Sequence, residues 1–438
     1  MAQLSSIAYY VTDKISSNDI SLAEYVTTDC ILQNKKGREI ATNLPPQPCS
    51  LIRYQRGDVL IANIRPYLKK VWFADVDGGA SPDVLVLRAK NGHSPNYLYA
   101  ILLQDSFFDY VMQGTKGSKM PRGDKEQILR YEVPTFSCSE ESIGTFFLNL
   151  DSKIRLNEQI NQNLEAMAKQ LYDYWFVQFD FPDENGRPYK SSGGKMVWNE
   201  KLKREIPEGW DSIPIGNYAP CKGGYAFKSS DFCKRRGVPV IKIGNIRDDY
   251  TLDMTDCQCI ENFDNSQFLA KRFDLVIAMT GATIGKFAIS QRDYWVNQRV
   301  GRFELGDTPL NRLGYLFNSL KQDYFREQIF QIASGCAQPN ISSEQIDAIL
   351  ILKPKDSILS QFNNICRSLL KQQSENLLQI EELTKQRDEL LPLLMNGQVS
   401  VNSDLSVYKE NERKYPLIFF KPNIRHSIPS TATHNYIV

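Results

Sequence analysis

The chain contains two similar halves. The run GDVLIA at 57–62 returns as FDLVIA at 273–278. A motif of the form G…P…EQI at 117–128 returns at 335–346, at nearly the same offset. Solenoid repeats are only roughly 20–50 residues long, and the two copies here lie much farther apart in the chain. The pattern therefore indicates a duplicated domain, and each copy is followed by a long amphipathic segment.

The overall charge limits how the chain can bind nucleic acid. Its formal net charge is only +1 over 438 residues. The chain as a whole is therefore not a basic nucleic-acid binder, and any DNA contacts would come from local patches or from partner subunits. A chain of this length is large enough for two or three domains, each with a core of its own.

Cysteine and histidine usage argues against a metal centre or a histidine-based triad. The nine cysteines form no CxxC pair, and two of the three histidines lie near the C-terminal end. The N-terminal sequence does not have a signal-peptide pattern, and no apolar run reaches the roughly 18 residues of a membrane span. We therefore expect a cytoplasmic protein with reduced thiols, and we assign no catalytic, cofactor-binding or metal-binding residue.

Each copy has the pattern of a β-rich α/β domain. In the first copy, residues 1–138, a helical pattern at 97–111 follows several short apolar runs. In the second copy, residues 206–356, a helical pattern at 311–332 stands in the corresponding place. The strand-length runs of the first copy lie at 59–62, 71–74 and 84–87.

Two long segments, 139–180 and 357–399, have the spacing of coiled-coil helices. Their apolar residues recur at alternating intervals of about three and four. Asn157 and Asn161 occupy seam positions, where a buried asparagine lowers stability but fixes register and partner. Turn residues dominate the linker at 181–205. Residues 400–438 lose this periodicity, and we expect them to form a weakly ordered tail.

Three sequence stretches carry a resemblance to a known family. They are LEAMAKQLYDYWF with FDFP at 164–182, GRPYKSSGG with IPEGW at 186–210, and L…QRDELLPLLMNGQV at 383–399. With the duplicated layout, they make the chain resemble the specificity subunits of type I restriction–modification systems, over about residues 1–400. The remaining tail shows no such likeness.

The resemblance implies a fold and a set of partners. The fold would be α+β, with two similar target-recognition domains separated by two long helices that pack as an antiparallel coiled-coil spacer. The partners would be double-stranded DNA, two methyltransferase subunits and two restriction–translocase subunits. S-adenosylmethionine would belong to the methyltransferase partner, and ATP and Mg would belong to the motor-nuclease partner. The specificity subunit itself would be non-catalytic.

The residues agree with a split DNA target. Antiparallel helices of roughly 40 Å would hold two domains about one turn of DNA apart, because half-sites on one face are about 34–36 Å apart. Duplication would give a pseudo-two-fold axis and a fixed gap. The side chains assigned to the helix spacer and its partner-binding surface are Ile154, Leu164, Leu171, Trp175, Leu377, Ile380, Arg387, Leu391 and Leu394.

The DNA-contact candidates are cations and amides in glycine-bearing loops. Arginine and lysine suit guanine and phosphate, and asparagine and glutamine suit adenine. In the first domain they are Arg65, Lys69, Lys70, Lys116, Ser118, Lys119 and Arg122. In the second domain they are Lys228, Arg235, Arg236, Lys242, Thr280, Thr283, Lys286, Asn297, Gln298, Arg299, Gln338 and Asn340.

Two other function classes fit parts of the sequence. A scaffold could pair proteins through its helices without reading DNA. A methyltransferase or nuclease in its own right is disfavoured, because three catalytic-looking runs depart from their motifs. NLPP at 43–46 has the wrong spacing, GATIGKF at 281–287 is one residue short of a phosphate loop, and Arg88 stands where a metal-dependent nuclease needs a carboxylate.

Overall fold

The protein forms two compact units. The structure, a computed structural model, describes residues 2–115, 119–133, 139–234, 236–333 and 339–395. One unit comprises Met1–Asn157 and Gln379–Val438, and the other comprises Glu158–Leu378. Each unit therefore combines one copy of the repeat with parts of both long helices. None of the described helices has an apolar stretch that would cross a lipid bilayer.

The first unit is built on two small sheets. One sheet has the order β2-β9-β6-β7 and the other has the order β3-β5-β8-β4, while β1 pairs with β10. The elements are β1 (Ala2–Gln3), α1 (Leu4–Ile7), β2 (Ala8–Tyr10), β3 (Lys14–Ser16), β4 (Tyr25–Val26), β5 (Ser50–Tyr54), β6 (Val59–Ala62), β7 (Val71–Phe73), β8 (Gly78–Ala80), β9 (Val84–Ala89), α2 (Pro95–Leu102), α3 (Asp105–Gln113), α4 (Lys125–Leu129), β10 (Glu132–Val133) and α5 (Glu140–Tyr172).

The second unit repeats this plan. One sheet has the order β14-β22-β19-β20, the other has the order β15-β17-β16-β21-β18, and β13 pairs with β23. The elements are β11 (Met196–Asn199), β12 (Arg204–Pro207), β13 (Asp211–Pro214), α6 (Ile215–Tyr218), β14 (Cys221–Gly223), β15 (Phe232–Cys233), β16 (Val238–Ile241), β17 (Cys259–Ile260), β18 (Leu269–Ala270), β19 (Leu275–Ala278), β20 (Phe287–Ile289), β21 (Tyr294–Val296), β22 (Val300–Phe303), α7 (Leu310–Leu320), α8 (Asp323–Ala333), α9 (Ser343–Asp347), β23 (Leu350–Lys353) and α10 (Asp356–Met395).

The repeat extends to the register of the strands. Arg53 faces Gly79 in an antiparallel pair of the first unit. The residues at the same two positions of the second copy, Leu269 and Trp295, also face each other in an antiparallel pair. A one-residue slip would turn every side chain of a strand to the opposite face. The duplicated-domain interpretation is therefore confirmed by strand pairing as well as by sequence.

The repeated aspartate closes the turn into the central strand of each copy. Asp58 Oδ2 accepts a hydrogen bond from the Gln55 amide at 2.8 Å, and Asp274 Oδ2 accepts one from the Lys271 amide at 2.9 Å. The preceding residue is left-handed in both copies. It is Gly57 in the first, with φ 90°, and Phe273 in the second, with φ 73°. A left-handed phenylalanine is costly, so the second turn relies on its contacts to hold this conformation.

The helical patterns at 97–111 and 311–332 do not form continuous helices, which corrects the sequence-based expectation. The first divides into α2 and α3, and the second divides into α7 and α8. Gln104 adopts an extended conformation, with φ −66° and ψ 140°, and so ends one helix and precedes the next. The apolar residues continue across this break, so their spacing alone does not reveal it.

The long helices α5 and α10 pack together within each unit. In the first unit Arg387 Nη1 lies 3.3 Å from Asp151 Oδ1, and Asn157 Nδ2 donates to Gln379 Oε1 at 3.2 Å. Because residue numbers rise along α5 as they fall along α10, the helices are antiparallel here. The predicted α+β fold, with two β-rich domains and two long helices packed together, is confirmed.

The second unit has the same antiparallel contact and a polar seam. Asn376 Nδ2 donates to Asn161 Oδ1 at 2.9 Å, and Asn161 Nδ2 donates to the Gln373 carbonyl at 3.4 Å. Asn161 therefore occupies the seam position that the sequence assigned to it, as Asn157 does in the first unit. A seam closed by matched amides tolerates few other registers, because a slip would leave the buried Asn376 amide and its half-buried partners unpaired.

The spacer residues differ in their burial. Leu391 and Leu394 belong to the core of the first unit, and Trp175 belongs to the core of the second. Ile154 and Arg387 are buried. The half-buried residues of the set are Leu164, Leu171, Leu377 and Ile380. Their role in partner binding stays a prediction.

The predicted linker at 181–205 contains ordered structure. Strand β11 and the start of β12 lie within it. Phe181 stacks on both Tyr189 and Trp210, with ring centroids 4.7 Å apart in each pair. This segment is therefore packed into the second unit. The predicted tail at 400–438 lies outside the described residues.

Gly144 allows a close approach of helix α5 to the start of α2. A Cβ atom at this position would lie 2.3 Å from the Tyr97 amide nitrogen and 2.4 Å from the Asn96 carbonyl carbon. We expect Gly144→Ala to lower the free energy of unfolding of the first unit by about 1–3 kcal/mol, because backbone atoms must move apart. Thermal unfolding measures this change.

Gly223→Ala is the matched control, since a Cβ atom there would have no neighbour within 4 Å. If both variants unfold at the same temperature as the unchanged chain, the result contradicts the close approach of α5 to α2 at Gly144.

Candidate nucleic-acid interface

Two loops that are distant in sequence meet beyond the central strand of each unit. In the first unit the Arg65 amide donates to the Pro121 carbonyl at 2.8 Å, and Ile64 pairs with Arg122. These segments, 63–70 with 119–123, and their equivalents in the second unit, 279–286 with 339–341, are called the paired loops below. They bring together the two motifs that revealed the duplication.

The second unit builds its paired loops with the same backbone contacts. The Gly281 amide donates to the Pro339 carbonyl at 3.0 Å, and Thr280 pairs with Asn340. Arg65 and Gly281 thus occupy equivalent places, as do Arg122 and Asn340. The frame is shared, and the side chains displayed on it differ.

In both units a third segment is hydrogen-bonded to the paired loops. The surface that this segment forms with the paired loops is called the edge below. The Asn63 amide donates to the Asp83 carbonyl at 2.9 Å, and the Met279 amide donates to the Arg299 carbonyl at 3.0 Å. The carboxylate of Asp83 also lies 3.1 Å from Arg122 Nη1. In the second unit an arginine stands where the first has an aspartate, so the charge of the two edges differs.

Among the first-unit candidates, the two arginines and Lys119 are exposed. Arg65 is left-handed, with φ 53°, and its side chain is exposed. The Arg122–Asp83 pair is open to solvent on both sides, with side chains 56% and 43% exposed. Such a pair contributes at most about 1 kcal/mol, so the guanidinium is available to a base or a phosphate.

The two lysines of this loop make internal contacts. Lys69 Nζ lies 3.0 Å from Asp105 Oδ1, and Lys70 Nζ donates to the Thr28 carbonyl at 2.6 Å. Burial would raise the pKa of Asp105, but hydrogen bonds from Lys35 and Lys69 outweigh it and hold that pKa below its ordinary value. DNA contact by Lys69 and Lys70 stays a prediction, and both lysines contribute to the shape of the loop.

The second-unit candidates divide in the same way. Thr280 Oγ1 donates to the Pro339 carbonyl at 3.2 Å, Thr283 Oγ1 donates to the Thr280 carbonyl at 3.5 Å, and Lys286 Nζ lies 2.7 Å from Asp248 Oδ1. These three residues shape the paired loops. The exposed members at the edge are Gln298, Arg299 and Asn340, beside the half-buried Asn297.

The basic cluster at 228–242 lies around β15 and β16, in the sheet of the second unit that does not contain the central strand β19. Lys228 and Arg236 are exposed, and Lys242 Nζ lies 4.2 Å above the centre of the Phe232 ring. The structure does not bring these residues into contact with the paired loops through any hydrogen bond among the described residues. The candidates Lys116, Ser118, Arg235 and Gln338 lie outside the described residues.

Sequence reasoning missed a tyrosine beside the second edge. Tyr225 pairs with Asn297, and its carbonyl accepts a hydrogen bond from the Gln298 amide at 2.9 Å. Its ring is 39% exposed and rests on Phe263 and Phe268, at 4.7 and 5.2 Å between ring centroids. An aromatic ring held at this edge offers an apolar contact to a nucleotide. The several aromatic residues between 225 and 268 were the sequence feature from which this ring could have been predicted.

The catalytic-looking runs take other roles. Residues 281–287 lead from the end of β19 into β20, which are two strands of one hairpin, so they lack the strand-to-helix geometry of a phosphate-binding loop. Arg88 donates to Asp58 through Nε at 2.7 Å and so supports the strand-entry turn. Among the described residues, no cluster of histidine, cysteine and carboxylate side chains is arranged to hold a metal ion.

Comparisons with known proteins agree with this architecture. A sequence model of the "Type I restriction modification DNA specificity domain" matches residues 207–379. The chain is 22% identical to the type I restriction enzyme MjaIX specificity subunit of Methanocaldococcus jannaschii over 390 residues, covering 88% of this chain and 86% of that protein. It is 24% identical to the HindI specificity subunit of Haemophilus influenzae over 464 residues, covering 90% of this chain and 98% of that protein.

A solved structure shows the same fold. The S subunit of a type I restriction–modification system from M. genitalium matches with a TM-score of 0.54 and 14% identity. The match covers 89% of this chain and 94% of that chain.

The fold, the duplicated edges and the family matches define a DNA-specificity protein. The chain belongs to the specificity (S) subunits of type I restriction–modification systems, as its resemblance implied. An S subunit is itself non-catalytic and acts as part of a type I restriction enzyme complex.

Arg122 offers a direct test of the first edge. We expect Arg122→Ala to weaken DNA binding by the complex by about 1–3 kcal/mol. If Arg122 contacts a phosphate, the loss will be uniform across sequences, and the slope of log K against log salt will fall by about 1. A fluorescence titration of labelled DNA at several salt concentrations measures both quantities.

Arg130→Ala is the control, because Arg130 is an exposed arginine of the same region whose partner is Glu126 on helix α4. Equal affinities of the Arg122 and Arg130 variants would exclude Arg122 from the DNA interface.

Proposed function

We propose that this subunit reads a bipartite double-stranded DNA target, with one half-site for each β-rich domain, 1–138 and 206–356. The observation that carries the proposal is the recurrence of the paired loops in both copies. The same hydrogen-bonded frame presents different side chains in the two units. A shared frame with different side chains suits two half-sites of different sequence.

The exchanged side chains favour different bases. Arg122 of the first edge corresponds to Asn340 of the second, and Asp83 corresponds to Arg299. Arginine pairs with guanine through two hydrogen bonds, asparagine pairs with adenine, and aspartate accepts from cytosine. The two domains therefore select different half-sites, and the helix spacer sets a fixed non-specific gap between them.

The helices dock the modification partner in this proposal. Several apolar side chains of α5 and α10 are exposed, including Leu156 at 55%, Met167 at 55% and Ile365 at 45%. Exposed apolar side chains of this size favour a protein partner. The complex would contain two methyltransferase subunits and, for restriction, two restriction–translocase subunits.

The chemistry belongs to those partners. The methyltransferase binds S-adenosylmethionine and flips the target base out of the duplex. The restriction–translocase subunits use ATP and Mg. The complex acts in the prokaryotic cytoplasm, where it distinguishes host DNA from foreign DNA.

A genome-wide map of methylated bases tests the proposal. The map is made from the host strain, from a strain lacking this gene, and from the deletion strain with the gene restored. We expect one split motif with a fixed gap to lose its methylation on deletion and to regain it on restoration. Both half-sites are identified in one experiment.

Two results would contradict the proposal. One is a lost motif that is continuous, because two domains would then not read separate half-sites. The other is an unchanged map from a strain whose methyltransferase partner is expressed and co-purifies with the chain, which would favour a scaffold that does not read DNA.

A further inference from the structure

A nearly buried lysine joins three segments of the first unit. Lys35 Nζ lies 2.7 Å from Asp105 Oδ1 and 3.3 Å from Asp388 Oδ1, and its side chain is only 5% exposed. Asp105 begins helix α3, and Asp388 lies on helix α10. One ammonium group therefore links a surface loop to the helix that follows the other copy of the repeat.

The segment that carries Lys35 is bonded to the paired loops. The Asn34 amide donates to the Leu68 carbonyl, and the Lys35 amide donates to the Lys69 carbonyl, both at 2.9 Å. Lys35 and Lys69 are both left-handed, with φ 62° and 50°. Left-handed conformations of such residues persist only where surrounding contacts enforce them. The Lys35 segment is therefore bonded to the end of the loop that displays Arg65, and contacts that hold Lys35 also restrain this loop.

The acidic partner on α10 is itself fixed by the helix pair. Arg387 Nε lies 3.0 Å from Asp388 Oδ1, and Arg387 Nη1 lies 3.3 Å from Asp151 on α5. Tyr99 donates to Asp151 Oδ2 at 2.8 Å, which adds helix α2 to the network. These ion pairs and hydrogen bonds thus form a continuous network that links the paired loops to both long helices.

The second unit also has a buried lysine that contacts an acid of a long helix, but this lysine comes from the helix junction and not from the loop. Lys321 occupies the position of the second copy that Asp105 occupies in the first, and it lies just after α7, at its junction with α8. Its Nζ lies 2.5 Å from Glu165 Oε1 on α5, and its side chain is 5% exposed. In both units, therefore, the acid comes from the long helix that follows the other copy, α10 in the first and α5 in the second.

A loop contact completes the second arrangement. Lys321 Nζ lies 4.4 Å from the centre of the Tyr250 ring, and Tyr250 is left-handed, with φ 62°. Asp248, two residues earlier, lies 2.7 Å from Lys286 of the paired loops. Tyr250 thus takes the place of Lys35, because each joins a loop beside the paired loops to the helix junction.

We propose that Lys35 and Lys321 are positioning residues that hold the paired loops of each domain in register with the long helix of the opposite copy. This inference rests on the proposed function, in which the paired loops read DNA. Neither ammonium touches DNA. Each fixes the position of a loop by fastening its base to a helix, so the accuracy of one half-site depends on one lysine.

Removing the ammonium groups separates this role from general stability. Lys35→Met and Lys321→Met keep the length of the side chain and remove the charge, and Lys36→Met is the control at an exposed neighbour. Each variant is purified with its methyltransferase partner and used to select DNA from a library randomised in one half-site at a time. Thermal unfolding of the same samples reports stability.

We expect Lys35→Met to reduce discrimination in the half-site of the first domain about tenfold, or ~1.4 kcal/mol, and to leave the other half-site unchanged. Lys321→Met should do the reverse. The conservative variant Lys321→Arg should rescue discrimination, because it keeps a cation beside both Glu165 and the Tyr250 ring. A general loss of stability would not produce this selectivity or this rescue.

Several outcomes overturn the inference. Unchanged discrimination in the Met variants overturns it, and so does an equal loss in both half-sites. If Lys35→Met does not fold, Asp388→Asn takes its place, since Lys35 then keeps Asp105. Unchanged discrimination in both half-sites of the Asp388→Asn variant also overturns the role of the Asp388 contact on α10. If the unchanged complex selects no split target, the proposed function itself fails, and this control is read first.

Discussion

The antiparallel contact between α5 and α10 is the constraint on which both units depend. The core of the first unit contains Leu391 and Leu394 from the far end of the chain. The core of the second contains Trp175 and Phe176, which follow the first copy. Each copy therefore completes its core with a helix that follows the other copy. The polar seam at Asn161 makes one register of this contact preferable to its neighbours.

A shared frame with different surfaces follows from this arrangement. The sheets β2-β9-β6-β7 and β14-β22-β19-β20 have corresponding strand orders. The other sheets of the two units differ in their outer strands: β3 is added in the first unit, and β17 and β15 are added in the second. The backbone bonds that join the paired loops also recur, although the side chains on them are exchanged. Buried backbone groups must be paired, so the frame is constrained and the exposed side chains are free to vary.

Much of the fold could be predicted from the sequence, because repeats and apolar spacing are local signals. The duplication, the two long helices and the seam asparagines were visible in this way. The breaks at Gln104 and Lys321 were not, because apolar residues continue across them. Lys35 and Asp388 are 353 residues apart, and no local sequence pattern predicts their contact. Tyr225 was likewise missed, since its exposure is decided by strand pairing.

Photo-crosslinking tests the central claim, that each domain reads its own half-site, most directly. A photoreactive thymidine analogue is placed in one half-site at a time, and the attached peptides are identified by mass spectrometry. The account predicts that one half-site labels residues of the first domain, 1–138, and that the other labels residues of the second domain, 206–356. Attachment of both half-sites to the same domain would contradict it.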